Sequence, residues 1–266
     1  LLDGDGLRTA KVPTARRQEE SVLAAAAAVG AAGVERFTHG TTIATNALLE
    51  RRGARTALVA TDGFEHVLHL RRQDRAHLYR LCARHPEPLV PLERCHGVRG
   101  RMGPDGELEP LDLASLPDLA GAEAIAVCLL FSFRDPRHER ELVAELRRRL
   151  PRARIVASHE VAPEFREYER ASTTAIDAYL GPTLAGYLEA LAKACAESGL
   201  PEPLVMRSSG GVGPRSRRAR ASPRTARAAT PSEFHSWRSR PIPGRSSRSS
   251  PTWPSPRAMP CPAGGS

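Results

Sequence analysis

The segment richest in residues able to do chemistry is Thr38-His39-Gly40-Thr41-Thr42-Ile43-Ala44-Thr45-Asn46-Ala47-Leu48-Leu49-Glu50. It sets an imidazole, a glycine and two hydroxyls between a short apolar stretch and a helical pattern. Free backbone N–H groups at a helix start favour an anion such as phosphate or carboxylate, and Gly40 permits close approach. Plain capping of the helix by Thr41 or Thr42 accounts for the same spacing without any ligand. His39 is equally open: a substrate contact or general base, or a hydrogen-bonded structural residue.

A second run, His159-Glu160-Val161-Ala162-Pro163-Glu164-Phe165-Arg166-Glu167-Tyr168-Glu169-Arg170, concentrates four carboxylates with an imidazole, a phenol and two guanidiniums. If residues 164–174 are helical, Glu164, Glu167 and Tyr168 share one side, while Arg166 and Arg170 pair at i, i+4. Carboxylates there could order a water or a substrate amide, and arginine could hold a carboxylate or phosphate. A solvated charged face explains any one of these residues taken alone. Asp62-Gly63 falls at the end of an apolar strand, where open α/β sheets place ligands, although an Asp-Gly turn needs none. Ser208-Ser209-Gly210-Gly211 has the composition of a tight turn that could face a nucleotide or be a bare loop. His66, His69, His77 and His85 lack the spacing and companions of zinc ligands, and no metal site is expected from them.

The elements that must position these residues alternate between strand and helix. Residues 17–32 form an Ala-rich helical pattern ended by Gly33, 34–38 a short strand, 43–52 a helix closed by Gly53, and 55–61 a nearly continuous apolar strand. Leu1-Leu2-Asp3-Gly4-Asp5-Gly6-Leu7-Arg8 has the pattern of strand, turn and strand, and Pro104-Asp105-Gly106 that of a turn between short strands. Strands follow at 124–131 and 154–158, separated by a helix capped by Asp135 with Pro136 as its first residue. Residues 164–199 read as one or two long helices interrupted near Gly181-Pro182, and 203–206 as the start of a strand. This order is that of a layered α/β protein.

Charge divides the chain in two. Residues 213–266 hold 11 Arg, no Lys and one acid, Glu233, a net +10 against +9 for the whole, so the first 212 residues sum to −1. The tail also holds 10 of the 23 Pro and 11 Ser. It has too few aliphatic residues to offset its chain entropy and is expected to be disordered. Two origins fit: a basic tail that binds RNA or an acidic partner, or the shifted reading frame of a GC-rich gene, whose codons yield these residues. The first 212 residues need no polyanionic partner, and nucleic acid is not expected as one. Five scattered cysteines without a CxxC pair suit a reducing, cytoplasmic compartment, and no apolar run has the length of a membrane span.

HGTTIATNALLERRGARTALVATDGF, AEAIAVCLLFSFRDPRHERE, SHEVAPEFREYERASTTAIDAYLGP and VMRSSGGV, in that order, resemble the hydantoinase A and 5-oxoprolinase family across most of residues 1–212. The resemblance implies an α/β, actin-like ATPase fold of ribonuclease-H-like domains. Residues 1–182 would be the N-terminal-like domain without its first strand and phosphate loop, 183–212 the start of a second domain, and 213–266 the tail. It implies ATP-dependent hydrolysis of a cyclic amide of the 5-oxoproline or hydantoin type, with ATP and Mg2+, relatives that carboxylate ketones, and a hydantoinase B-type subunit or domain as partner.

It also raises Glu164, Glu167 and His39 as catalytic candidates. Gly40, Thr41, Thr42, Asn46, Asp62 and Arg170 become substrate- or phosphate-binding candidates, and Ser208, Ser209, Gly210 and Gly211 a nucleotide-facing loop. The family's Asp-x-Gly-Gly-Thr-x-Thr-Asp loop would lie before Leu1 and its Ser-Gly-Pro-Ala-Gly-Gly string after Val212. With neither in place, the chain is expected to be inactive alone. A non-catalytic remnant, or a binding protein acting through the basic tail, is the alternative.

Overall fold

The computed structural model describes residues 1–3, 6–80, 82–206 and 211–214. The tail from 215 on and Ser208, Ser209 and Gly210 lie outside the described residues.

The N-terminal strands β1 (Leu2–Asp3) and β2 (Gly6–Leu7) pair antiparallel as the Asp-Gly turn suggested. Helix α1 (Gln18–Ala28) ends four residues before the expected position, because Gly30 enters the left-handed region at φ 68° and breaks the ladder ahead of Gly33. The expected strand at 34–38 contracts to β3 (Thr38–His39). Helix α2 (Ile43–Leu49) is closed by Arg51 at φ 55° rather than by Gly53. Gly53 is used differently: a methyl group there would come within 2.2 Å of the Tyr179 ring.

Strand β4 (Thr56–Thr61) is buried along its whole length. A one-turn helix, α3 (Val67–Leu70), follows, then β5 (Cys95–Val98) and the hairpin of β6 (Arg101–Gly103) and β7 (Gly106–Glu109), turned where Pro104-Asp105-Gly106 predicted. Strand β8 (Ala124–Cys128) stops three residues short of Phe131, which turns the chain with φ 55°. In helix α4 (Arg137–Arg149), Pro136 is the cap instead of the first residue, and Asp135 Oδ1 accepts the Arg137 N–H at 3.0 Å. Strand β9 (Arg154–Ala157) leads into α5 (Ser158–Val161).

Helix α6 (Glu167–Glu197) is one unbroken element of 31 residues, so the expected interruption at Gly181-Pro182 does not occur. Pro182 removes one N–H from the ladder, which a helix held on both sides by packing tolerates. Its neighbour Gly181 is needed bare, since a Cβ there would meet the Arg154 guanidinium at 2.1 Å. Strands β10 (Leu204–Met206) and β11 (Val212–Gly213) complete the described chain.

β5, β4, β8 and β9 lie side by side in that order, all parallel. Period-two alternation divides their side chains between two cores. Leu58, Ala60, Ala124, Ala126 and Cys128 face the small residues Ala171, Ala175 and Ala178 of α6, which let that helix approach closely. Ala57, Val59, Ile125 and Val127 face Leu142, Val143 and Leu146 of α4. A smaller sheet orders β11, β10 and β3, with His39 opposite Val205 in a parallel pair.

Helix α6 crosses the larger sheet against the strand direction. Arg170 lies by Leu129, past the carboxyl end of β8, whereas the Tyr179 carbonyl accepts the Ala54 N–H, just before the start of β4. Beyond Pro182 the helix leaves the sheet and reaches α1 and β3. Among the described residues no helix is long and apolar enough to cross a membrane.

Candidate functional site

α6 carries two expected site residues, Glu167 and Arg170, in its first turn, and meets a third, His39, far along its length through Tyr187. Glu167 is its first residue, and Tyr187, twenty residues on, meets His39. At 1.5 Å per residue these positions are about 30 Å apart. The structure therefore does not bring His39 together with Glu164 and Glu167.

At the carboxyl-terminal edge of the large sheet, Arg170 is fully buried. Its Nη1 donates to Ser132 Oγ at 2.9 Å and its Nη2 to the Leu129 carbonyl at 2.8 Å, with the Phe133 ring 5.4 Å from its guanidinium carbon. Held by protein groups in this way, it fastens α6 to the chain leaving β8. Glu167 is half-buried and Glu164 exposed in the turn ahead of α6, outside the helical face expected for it. Neighbouring Glu169 is bonded by Arg72 Nε at 2.7 Å. Asp62 is exposed after β4, next to Gly63 at φ 81°, whose N–H is taken by Glu65 Oε1 at 3.1 Å. Thr61 Oγ1 accepts the Leu130 N–H at 3.0 Å. Burial pushes the Cys128 thiol up to about 11 despite nearby Arg170, so it stays protonated and packs as an apolar group.

Beyond the other end of the sheet lies an open cleft of about 560 Å³. Its walls come from four directions: Thr14, Gln18, Ser21 and Val22 at α1, His39 to Thr42 at the β3–α2 turn, Tyr187 on α6, and Met206 at the end of β10. Four expected residues, His39, Gly40, Thr41 and Thr42, thus share one cavity. Asn46, one turn further along α2, is exposed and absent from its lining. The Thr41 hydroxyl accepts the Ile43 N–H at 3.2 Å, as the capping alternative required, and α2, at seven residues, is too short to present much of a dipole. Thr42, in the capping position, makes no side-chain capping bond.

His39 Nε2 lies 2.8 Å from the Tyr187 hydroxyl, with the rings tilted at 49°. Burial first, then the charges of Glu19 and Cys195, pushes the Tyr187 phenol up to about 12, so it keeps its proton across the physiological range. Among the described residues, the cleft lining contains no Lys, Arg, Asp or Glu. What it offers is hydroxyls, one carboxamide, an imidazole, a phenol, and the apolar Val22 and Met206: a surface for a small uncharged molecule with hydrogen-bonding groups.

Sequence reasoning missed Tyr187 and Glu139. Tyr187 is 148 positions from His39, and no local pattern links them. Glu139 sits in the run Arg137-His138-Glu139-Arg140 and reads as surface charge, yet it is completely buried. Of the expected 208–211 loop, only Gly211 is described, at φ 75° just ahead of β11. Among the described residues no three His, Cys, Asp or Glu side chains gather as metal ligands would.

Residues 1–150 match the hydantoinase/oxoprolinase N-terminal region. The caprolactamase subunit alpha of Pseudomonas jessenii is 36% identical over 186 residues, covering 66% of this chain and 27% of its own length. 5-Oxoprolinase 1 of Arabidopsis thaliana is 32% identical, covering 67% and 16%. The acetophenone carboxylase gamma subunit of Aromatoleum aromaticum is 34% identical, covering 55% and 23%. In structure, the ATP-dependent caprolactamase from Pseudomonas jessenii superposes with a TM-score of 0.69 at 30% identity, over 79% of this chain and 33% of that one. An acetone carboxylase superposes at 0.65 with 23% identity over 77% and 33%, a likeness of fold. The chain thus spans about a quarter of the length of the first curated relative it matches. Its mixed α/β architecture and parallel sheet agree with an actin-like ATPase N-terminal domain.

Proposed function

The chain belongs to the hydantoinase/oxoprolinase family, and on that premise we propose that it supplies the ring-binding cleft for ATP-dependent opening of a cyclic amide. One observation carries this reading: the His39–Tyr187 pair and the Gly40–Thr42 turn line a single uncharged cavity. A cyclic amide is neutral, with one strong acceptor and one donor on an apolar ring. Hydroxyls, a carboxamide and an imidazole–phenol pair match those groups, and Val22 and Met206 match the ring carbons.

The absence of a cation in the described lining separates the two ring types. Among the described lining residues no cation would pair the carboxylate of 5-oxoproline, whereas a hydantoin or an unsubstituted lactam needs none. The same lining does not suit the triphosphate of ATP, which requires cations or a glycine-rich cradle. ATP use is carried by the relatives, one of which is named for it. The part assigned to these residues is to hold and orient the ring and to keep a hydrogen bond on its amide. Tyr187 keeps its proton and orients His39, and both side chains line the cavity.

The domain limits 1–182 and 183–212, a hydantoinase B-type partner and a cytoplasmic location belong to this same proposal. The partner draws support from relatives that are named subunits. Mg2+ is included with ATP by the chemistry of phosphoryl transfer.

The test is ring opening of caprolactam and hydantoin by the full chain with ATP and a B-type partner, following ADP and ring-opened product together. His39→Ala should lower kcat/KM at least about tenfold, the scale of one lost hydrogen bond of about 1.4 kcal/mol. Turnover unchanged by His39→Ala would remove the cleft from the reaction.

A further inference from the structure

The carboxyl-terminal edge of the large sheet holds an arrangement that ring binding does not use. Glu139 of α4 is 0% exposed, and its two oxygens are met by four donors. Oε1 receives the Leu129 N–H at 2.9 Å and the Ser158 hydroxyl at 2.6 Å. Oε2 receives the His159 N–H at 3.0 Å and lies 2.7 Å from His159 Nδ1.

Backbone N–H groups can only donate, so each carboxylate oxygen is already an acceptor. The hydrogen-bond network therefore assigns the imidazole proton to Nδ1 and leaves Nε2 bare. The imidazole is 12% exposed. Nε2 has no protein partner among the described residues, nor is it among their buried unpartnered atoms, so it meets solvent.

Two further features single out this edge. Ser158 Oγ lies 3.0 Å from Ser132 Oγ, which receives Arg170 Nη1, so two serines connect the buried carboxylate to a buried cation. That cation offsets the cost of an uncompensated charge in the interior. Phe131, between the two anchored residues Leu129 and Ser132, holds a left-handed φ of 55°, a conformation costly for a bulky residue. The pair also stands at the strand ends where open parallel sheets take their ligands.

We propose that His159 is an acid–base residue and Glu139 the residue that positions it, at a second site distinct from the ring cleft. His159 Nε2 takes the proton from a water, hydroxyl or amine of a small ligand seated on this edge. The imidazolium so formed lies against the Glu139 carboxylate, and the proton returns by the same nitrogen. No oxidant, reductant or metal enters the step. A buried carboxylate on Nδ1 and an accessible Nε2 are the geometry by which an imidazole is kept in one tautomer for such transfers.

Two readouts on the full chain test this. Long-range proton–nitrogen NMR of labelled histidines should find His159 in the Nδ1–H tautomer, and Glu139→Gln should turn it into a mixture. With p-nitrophenyl acetate as probe, the native chain should cleave the ester about tenfold faster than His159→Gln, with part of that rate restored in Glu139→Asp relative to Glu139→Gln. An Nε2–H tautomer, or equal ester cleavage by the native and His159→Gln chains, would overturn the proposal and leave Glu139 a structural cross-link. If the Glu139 variants fail to fold, the native tautomer and the His159→Gln comparison still decide. Neither readout involves His39 or a cyclic amide, so failure here leaves the ring reading standing.

Discussion

The two regions served by α6 use polar residues in opposite ways. At the carboxyl-terminal edge of the sheet, Arg170 and Glu139 are fully buried and spend their hydrogen bonds on backbone, serine and histidine groups. Near the other end of the helix, His39 and Tyr187 meet each other at the wall of an open, uncharged cleft. Two charged residues of the kind that suggest catalysis, Arg170 and Glu139, are thus consumed in holding the first region together. The cleft, which carries little charge, has room for a ligand. Residue type shows what a side chain could do; burial and partners show what is left for it to do.

Substitution of Arg170 should give the largest effect. Arg170→Met removes the donors to the Leu129 carbonyl and Ser132 Oγ and leaves Glu139 without its nearby cation, at a cost of about 3–5 kcal/mol in denaturant unfolding. A loss under about 1 kcal/mol would mean that this edge is not an anchor, and the contrast between the two regions would fail.

Gly53→Ala probes the middle of α6, where a methyl group would press into the buried Tyr179 ring. It should cost about 1–3 kcal/mol by overpacking, read as a fall in denaturation midpoint at constant slope. At the cleft, Tyr187→Phe should change stability by no more than about 1.5 kcal/mol, since it removes one partly exposed hydrogen bond. Even so, it should weaken binding of an uncharged ring about tenfold. An equal loss of stability and binding would mean that the cleft, too, is merely structural.

The smallest effect is on pH dependence. Tyr187 binds its proton more tightly folded, up to about 12, than an ordinary tyrosine near 10. Its contribution to stability is therefore complete below about pH 10 and is lost as pH rises from there toward 12. The native chain should lose stability more steeply than Tyr187→Phe across that window, and parallel curves would contradict the placement of the phenol.

The larger sheet was legible in the sequence because its strands are continuous apolar runs: Arg55 to Thr61 and Ala124 onward could hardly be anything else. Ends were less legible. Arg51 and Phe131 adopt left-handed conformations that their residue types disfavour, so closure was assigned instead to Gly53 and to a longer strand. Pro182 was expected to break a helix that packing on both sides holds intact. His39 to Thr42 were visible as a cluster because they are adjacent. Their partner Tyr187 was not, since only the path of α6 across and beyond the sheet brings it to them. The family resemblance groups Glu164 and Glu167 with His39, and the length of α6 holds them apart.

The most direct test of the cleft is equilibrium binding of hydantoin to the full chain, to Tyr187→Phe and to His159→Gln, followed by NMR titration. The account predicts one saturable site, weakened about tenfold by Tyr187→Phe and unchanged by His159→Gln. Absence of binding to the native chain, or its loss in His159→Gln with Tyr187→Phe unaffected, would contradict it.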